Sequence, residues 1–154
     1  MAAAPTPSFR PAVEADLPFL VALRLETMAP GFERQGIAVS ADEHRQRAEF
    51  RLDAASIIEI DGRSVGLVKV LQDTTTWTIE QFQITSAHQG GGLGTMVLRA
   101  LIAESRAAGA LLRLSVLKQN PAARLYARLG FRTLDESAVS YKMTFIETEA
   151  PEGT

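Results

Sequence analysis

The feature that most restricts the fold is a glycine-rich turn, with four glycines between Gly90 and Gly94. It lies between a predicted strand, residues 78–85, and a predicted helix, residues 92–108. Glycine lets the backbone approach a ligand closely, at an entropic cost that a plain connector does not require. The free N–H groups and the dipole at a helix start attract anions. The sequence therefore predicts a phosphate or pyrophosphate site, with a flexible connector as the alternative.

Two common phosphate-binding motifs do not fit this turn. A Walker A loop requires Gly-Lys-Ser/Thr, and no lysine precedes Thr95. A dinucleotide-binding G-x-G-x-x-G requires a third glycine at the position where Val97 stands. A nucleotide-phosphate enzyme is therefore disfavoured, and a different phosphate-bearing ligand is expected.

The first third of the chain predicts an edge strand and two helices. Residues 9–13 form a short strand, and its proline suits an edge position. Asp16 is the predicted N-cap of the first helix, which Gly31 and Gly36 interrupt. The S-x-x-E pattern of residues 40–43 predicts a capping box that starts a helix running to about residue 52.

The remaining pattern predicts a mixed α/β domain. Asp61-Gly62 is a hairpin turn within an antiparallel meander of three strands, residues 57–60, 64–71 and 78–85. A helix, a central strand at residues 111–117, a short helix capped by Asn120 and two final strands follow. We expect a mixed, mostly antiparallel sheet of about six to seven strands with helices on both faces.

Composition narrows the possible functions. The 154 residues suit one domain, predicted at 8–146 between a flexible N-terminus, 1–7, and a flexible acidic tail, 147–154. The chain has no cysteine, which fits a cytoplasmic protein and leaves no thiol nucleophile. A net charge of −2 without a basic stripe argues against nucleic acid, and no apolar run is long enough for a membrane span. The two histidines lack partners at ligand spacing, so no metal is expected.

The turn and a second region together resemble the GNAT superfamily of N-acetyltransferases. Gln89, Gly92 and Gly94 match the family's Q/R-x-x-G-x-G/A loop in register. From Asn120 to Phe131 the chain reads NPAARLYARLGF, which is similar to the family's Asn followed by A-x-x-L-Y-x-x-L-G-F. The resemblance covers roughly residues 10–145 and implies the GNAT fold.

The resemblance also implies acetyl-CoA as cosubstrate. Backbone groups of Phe82, Gln83 and Ile84 would pair with the pantetheine arm like an added strand, and strand 111–117 would diverge to make room. Asn120 would contact the coenzyme besides capping its helix; a cap alone is the alternative. The pyrophosphate would bind the turn, through Gln89, Gly90, Gly91, Gly92, Leu93, Gly94 and Thr95.

Tyr126 is the general acid that the resemblance implies, protonating the departing CoA thiolate. A thiol has a pKa of about 8.5 and a phenol of about 10, so this transfer is mildly uphill and requires positioning. The alternative is that Tyr126 only packs in the core, with its hydroxyl at the surface.

Glu80 is the candidate general base. It is the only carboxylate on the strand before the turn, and strand alternation places it on the same face as Phe82 and Ile84. It would accept a proton from the attacking amine, directly or through water. A structural or substrate-binding role is the alternative. Glu26 and Thr27, in the first helix region, are expected to line the acceptor site.

We therefore predict an acyl-CoA-dependent N-acyltransferase that passes an acetyl group to a primary amine. The amine attacks the thioester directly in a ternary complex, and strand N–H groups stabilise the oxyanion. The acceptor is a small-molecule or a protein amine. The resemblance and the exposed sheet edges also predict a homodimer. The alternative is a non-catalytic acyl-CoA-binding regulatory module, which would have no need of Tyr126 as an acid.

Overall fold

In the computed structural model, which describes residues 6–147, seven strands form one sheet with helices on both faces. Residues 1–5 and 148–154, most of the two ends predicted to be flexible, lie outside the described residues. The strands are β1 Ser8–Pro11, β2 Ala55–Ile60, β3 Arg63–Gln72, β4 Thr76–Ile84, β5 Leu111–Leu117, β6 Phe131–Glu136 and β7 Ser140–Phe145. The helices are α1 Leu17–Thr27, α2 Ala29–Arg34, α3 Ala41–Glu49, α4 Leu93–Ala107 and α5 Ala122–Leu129.

The strand order is β1-β2-β3-β4-β5-β7-β6, and within the described residues only β4 and β5 pair in parallel. The predicted mixed, mostly antiparallel sheet is thus confirmed, as is the edge position of β1. The turn between β2 and β3 is the predicted hairpin, because Asp61 (φ 51°) and Gly62 (φ 76°) both take the left-handed conformation of a type I′ turn.

Two details predicted for the first helix region differ in the structure. Asp16 stands at the N-cap position of α1, as predicted, but its side chain makes no bond to the helix: its carboxylate accepts the Val13 N–H and pairs with Arg10, so it stabilises the 3-10 turn before the helix. Gly31 does not break a helix but lies buried inside α2. A Cβ added there would lie 3.5 Å from Leu117, an ordinary van der Waals contact, so α2 and the end of β5 pack side by side.

The two faces of the sheet have separate cores. On one face α1 and α3 pack on β2 and β3 through Leu20, Leu23, Ala48, Ile57 and Leu67. On the other face α4 and α5 cover the sheet, with Val97, Leu98, Leu101 and Tyr126 among the buried residues. These opposite layers hold the central strands β4 and β5 in place.

Candidate active site

Strands β4 and β5 part in the middle of the sheet. They pair only from Thr76 with Leu111 to Ile79 with Leu114, so the second half of each strand has no partner across this line. This is the divergence expected from the sequence. It opens a gap in the sheet, bordered by residues 80–84 of β4 and the end of β5.

Unpaired backbone groups of β4 border this gap. The N–H of Thr85 donates to Val65 of β3 at 2.9 Å, so Thr85 and Gln83 face β3. Because successive residues of a strand direct their backbone groups to opposite edges, Phe82 and Ile84 present theirs to the gap. Of the three residues predicted to pair with the pantetheine arm, Phe82 and Ile84 therefore direct their backbone groups into the gap, and Gln83 does not. The side-chain amide oxygen of Gln83 is buried and has no hydrogen-bond partner among residues 6–147.

A cavity of about 630 Å³ lies on one side of the gap, at the glycine-rich turn. Gly90 (φ 83°) and Gly92 (φ 88°) have left-handed backbones, and a Cβ at Gly90, Gly91 or Gly92 would meet no atom within 4 Å. The turn thus presents bare backbone to open space at the start of α4. Thr95 in the first turn of α4 and the exposed cations Arg34 and Arg128 also line the cavity.

Three of the residues predicted to contact the pyrophosphate also stabilise the turn itself. The side-chain amide of Gln89 donates to the Ile84 carbonyl at 2.8 Å and so ties the turn to the end of β4. The Leu93 side chain is buried in the core and leaves only its backbone for a ligand. Gly94 allows close packing, because a Cβ there would lie 3.2 Å from Leu125.

Asn120 lies where the cavity at the glycine-rich turn meets a second cavity on the opposite side of the gap. Its Oδ1 accepts the Ala122 N–H at 2.9 Å, so the predicted cap of α5 is present. The predicted contact to the coenzyme stays a prediction, and the position of Asn120 beside both cavities is compatible with it.

Tyr126 of α5 lies against the second cavity. Its ring is 5% exposed and packs edge-to-face on Phe131, as the core-packing alternative requires. Its hydroxyl has no hydrogen-bond partner among residues 6–147, and it is not fully enclosed. Burial raises the pKa of Tyr126, which keeps the phenol protonated. The side chain thus combines a core ring with a proton donor at the cavity.

The second cavity measures about 540 Å³ and extends from the gap toward α1 and α3. Met28, Phe82, Gln83 and Asn120 line both cavities, which therefore meet at the gap. A long ligand in the loop cavity and a smaller one in this second cavity would come together beside Tyr126. We call the first the loop cavity and the second the acceptor cavity, after the acceptor amine expected from the sequence.

Glu80 lies at a β-bulge that breaks the alternation assumed for β4. Lys69 of β3 pairs with Gln81 and Val70 pairs with Ile79, so Glu80 is an extra residue in the ladder. The prediction that Glu80 shares a face with Phe82 and Ile84 was therefore wrong. Phe82 and Ile84 pack toward α4, whereas Glu80 lines the acceptor cavity on the side of α1 and α3.

Sequence reasoning missed the buried cations of this region. Burial, with the nearby charge of Arg47, lowers the pKa of Arg24 to about 10, and the charge of Glu80 opposes that fall. The Arg24 Nε donates to His44 Nδ1 at 3.4 Å. Burial and both arginines lower the pKa of His44 and so keep its ring neutral. The sequence signal for this buried cation is the position of Arg24 on the apolar face of α1, four residues after Leu20.

Lys69 is a second buried cation on this face of the sheet. Its ammonium donates to the carbonyls of Arg47, Ala48 and Phe50, where α3 ends. Burial lowers the pKa of Lys69 to about 8, against which the charge of Glu80 acts. Because carbonyl oxygens accept from all three of its N–H donors, Lys69 has a structural role. Its side chain does not line the acceptor cavity.

The structure places Glu26 and Thr27 elsewhere than expected. Both line the loop cavity and neither lines the acceptor cavity. Glu26 accepts the Ser86 N–H at 3.3 Å, and the Thr27 hydroxyl donates to the Leu23 carbonyl at 2.7 Å. The end of α1 turns these side chains toward the glycine-rich turn, whereas Arg24, one turn earlier, reaches the acceptor cavity.

Two further properties concern the described residues as a whole. In residues 6–147 no three His, Asp or Glu side chains converge as a metal site would require. No helix in this part of the chain has the length and apolar character needed to cross a membrane.

Comparison with known proteins gives a family and a set of similar folds. The family model described as "Acetyltransferase (GNAT) family" matches residues 22–131. No curated protein matches the chain in sequence. The crystal structure of PH1933 from Pyrococcus horikoshii OT3 has a similar fold, with a TM-score of 0.72 and 18% sequence identity. The match covers 93% of this chain and 99% of the PH1933 chain.

Two other solved structures with similar folds have named activities. The PaiA N-acetyltransferase from Thermoplasma acidophilum, in complex with coenzyme A, is 17% identical with a TM-score of 0.67, covering 90% of this chain and 98% of its own. The ribosomal-protein-S18-alanine N-acetyltransferase from Escherichia coli is 18% identical with a TM-score of 0.68, covering 97% and 99%. At such identities these structures establish the fold alone. Because the family model spans well over half of the sequence, the chain belongs to the acetyltransferase (GNAT) family.

Proposed function

We propose that this protein transfers an acetyl group from acetyl-CoA to an amine, by direct attack in a ternary complex. The observation that carries the proposal is the gap between β4 and β5, where the loop cavity and the acceptor cavity meet. A thioester reaching the gap from one side is accessible to an amine from the other. The complex of the structurally similar PaiA N-acetyltransferase with coenzyme A supports the choice of acyl donor.

The coenzyme would bind along the loop cavity. Backbone groups of Phe82 and Ile84 facing the gap suit the amide groups of a pantetheine arm, as in strand addition. The bare backbone of residues 89–95 at the start of α4 suits a pyrophosphate. Arg34 and Arg128, which form no ion pair among the described residues, add positive charge to the cavity wall.

Two side chains have the chemistry for the proton transfers. Tyr126 presents a protonated phenol at the cavity and would protonate the thiolate as it leaves. Glu80, turned into the acceptor cavity by the bulge, would take the proton of the amine, directly or through water. An unpaired N–H at the gap edge of β4 would stabilise the oxyanion formed during attack.

The direct test is acetyl transfer by the purified chain. Acetyl-CoA is mixed with a broad amine panel, thiol release is followed, and the acetylated product is identified by its mass. The expected result is acetylation of at least one amine at a rate that depends on the protein concentration. Tight acetyl-CoA binding without any product would instead support the non-catalytic binding module.

Coenzyme binding at the turn is tested by moving one negative charge. Thr95→Glu places a carboxylate in the loop cavity, where it repels a pyrophosphate. If this repulsion makes the binding free energy about 1.4 kcal/mol less favourable, binding becomes tenfold weaker. We expect the Kd for acetyl-CoA, measured by calorimetry, to rise about tenfold or more. The melting temperature should stay constant or rise, since an acidic residue in the first turn favours the helix dipole.

Met96→Glu is the matched control, because Met96 is the next residue of α4, is 40% exposed and lies outside the loop cavity. It should leave the Kd near the wild-type value. Equal affinities in the two variants and the wild type would show that the pyrophosphate binds elsewhere.

A further inference from the structure

The acceptor cavity contains a buried guanidinium with unused donors. Arg24 is 2% exposed, and only its Nε is hydrogen-bonded, to His44. Its two terminal nitrogens have no partner among residues 6–147, and Arg24 lines the cavity. A buried charge without a hydrogen-bonded partner is costly, so such a group indicates a ligand of opposite charge.

A second arginine increases the positive charge of the same cavity. Arg47 of α3 lines it from the exposed side, with its guanidinium 5.4 Å above the Phe32 ring. No described carboxylate pairs with it or with Arg24, and the two cations raise the energy of each other's charged form. The contact with the Phe32 ring keeps the Arg47 guanidinium beside the cavity.

Among residues 6–147, Glu80 is the only acidic side chain that lines this cavity. Two arginines against one glutamate leave the cavity wall with an excess of positive charge, and the buried ammonium of Lys69, which interacts with Glu80 and Arg24, adds to it. A carboxylate on the acceptor would offset this excess of positive charge. The planar end of a guanidinium also pairs with a carboxylate through two parallel hydrogen bonds.

We propose that the acceptor is a small molecule that carries a carboxylate as well as the reacting amine, with Arg24 and Arg47 binding the carboxylate. This inference rests on the proposed acetyl transfer and names the class of its substrate. The carboxylate end of the acceptor lies toward α1 and α3. Its amine lies toward Glu80 and the gap, so the two charged ends of the acceptor meet charges of opposite sign.

The test compares amino acids with their carboxamides as acceptors. The series contains α-, β-, γ- and longer ω-amino acids, which vary the separation between amine and carboxylate, and includes aminoalkylphosphonates of matched length. At saturating acetyl-CoA, the best amino acid should exceed its carboxamide at least tenfold in kcat/KM. It should also exceed the matched phosphonate.

Three variants locate the origin of this preference. In Arg24→Gln the ratio of kcat/KM between amino acid and carboxamide should fall to near one, mainly through KM, and in Arg47→Gln it should fall by a smaller factor. Arg45→Gln is the matched control, because Arg45 lies on α3 but pairs with Glu49 outside the cavity. This variant should keep the wild-type ratio. Since Arg24 is buried, Arg47→Gln carries the test should Arg24→Gln fail to fold.

The outcomes separate the two proposals. Turnover of amines without a carboxylate preference, a preference for the phosphonates, or a preference that survives both substitutions would overturn this inference and leave acetyl transfer standing. Absence of product from every amine, with acetyl-CoA bound, would refute the proposed function and this inference with it.

Discussion

Tyr126 shows how one residue can serve packing and chemistry with different atoms. Its ring belongs to the core and its hydroxyl lies at the acceptor cavity. Tyr126→Phe removes only the oxygen, so the melting temperature and the acetyl-CoA Kd should change little. Because general acid catalysis contributes about 10²–10⁴-fold, kcat should fall by a factor in that range. Wild-type turnover with lowered stability would mean that another group protonates the thiolate.

Glu80→Gln tests the base. With the carboxylate gone, the enzyme depends on amine that is already deprotonated, so kcat should drop at neutral pH and recover as pH rises. The acidic limb of the pH profile should change its shape, which a purely structural role would not cause. Glu104→Gln, on an exposed position of α4, should follow the wild-type profile. A Glu80→Gln profile identical to that of the wild type would remove Glu80 from the mechanism.

At the scale of the element, the glycine-rich turn combines two uses of glycine. Gly94 lies where α4 packs against α5 and β4, since a Cβ would lie 3.2 Å from Leu125 and 3.5 Å from Ile84. Gly94→Val should therefore destabilise the protein by about 1–3 kcal/mol through overpacking. Gly91→Val, with an ordinary backbone and open space, should stay within about 0.5 kcal/mol of the wild type. Chemical denaturation measures both, and equal stabilities would contradict the packing role.

Local signals predicted most elements because each element has its own start and end residues. Asp61-Gly62 and the Asn120 cap each act within a few residues, and both turned out as expected. The bulge at Glu80 was missed because it depends on how two strands pair. In a bulge, two residues of one strand lie opposite a single residue of the neighbouring strand, and the sequence of either strand alone does not show this.

The acceptor cavity was missed for a similar reason. Arg24 comes from α1, Arg47 from α3 and Glu80 from β4, and only the packing of both helices on the sheet brings them together. By contrast, the glycine-rich turn is continuous in sequence and was found at once. Glu26 and Thr27 show what a local pattern leaves open: the sequence predicts their helix, but not that their side chains point to the loop cavity.

At the scale of the whole molecule, the homodimer is still a prediction. The edges of the sheet are short or charged: β1 has four residues and contains Pro11, and β6 carries Arg132, Asp135 and Glu136. Such edges resist edge-to-edge pairing. The sheet edges therefore give no reason to expect a dimer, and the prediction now rests on the family resemblance and on another surface. Light scattering at micromolar concentration should give twice the 16.7 kDa of one chain. The mass of a single chain would reject the dimer.

The shared wall between the two cavities has a practical consequence for inhibitor design. Met28, Phe82, Gln83 and Asn120 border both, so molecules bound in each would end close to one another. Joining an amino-acid fragment to a pantetheine fragment by a short linker makes the second binding event intramolecular. Tethering of this kind can raise affinity by about 10²–10⁴-fold over either fragment, without any new contact to the protein.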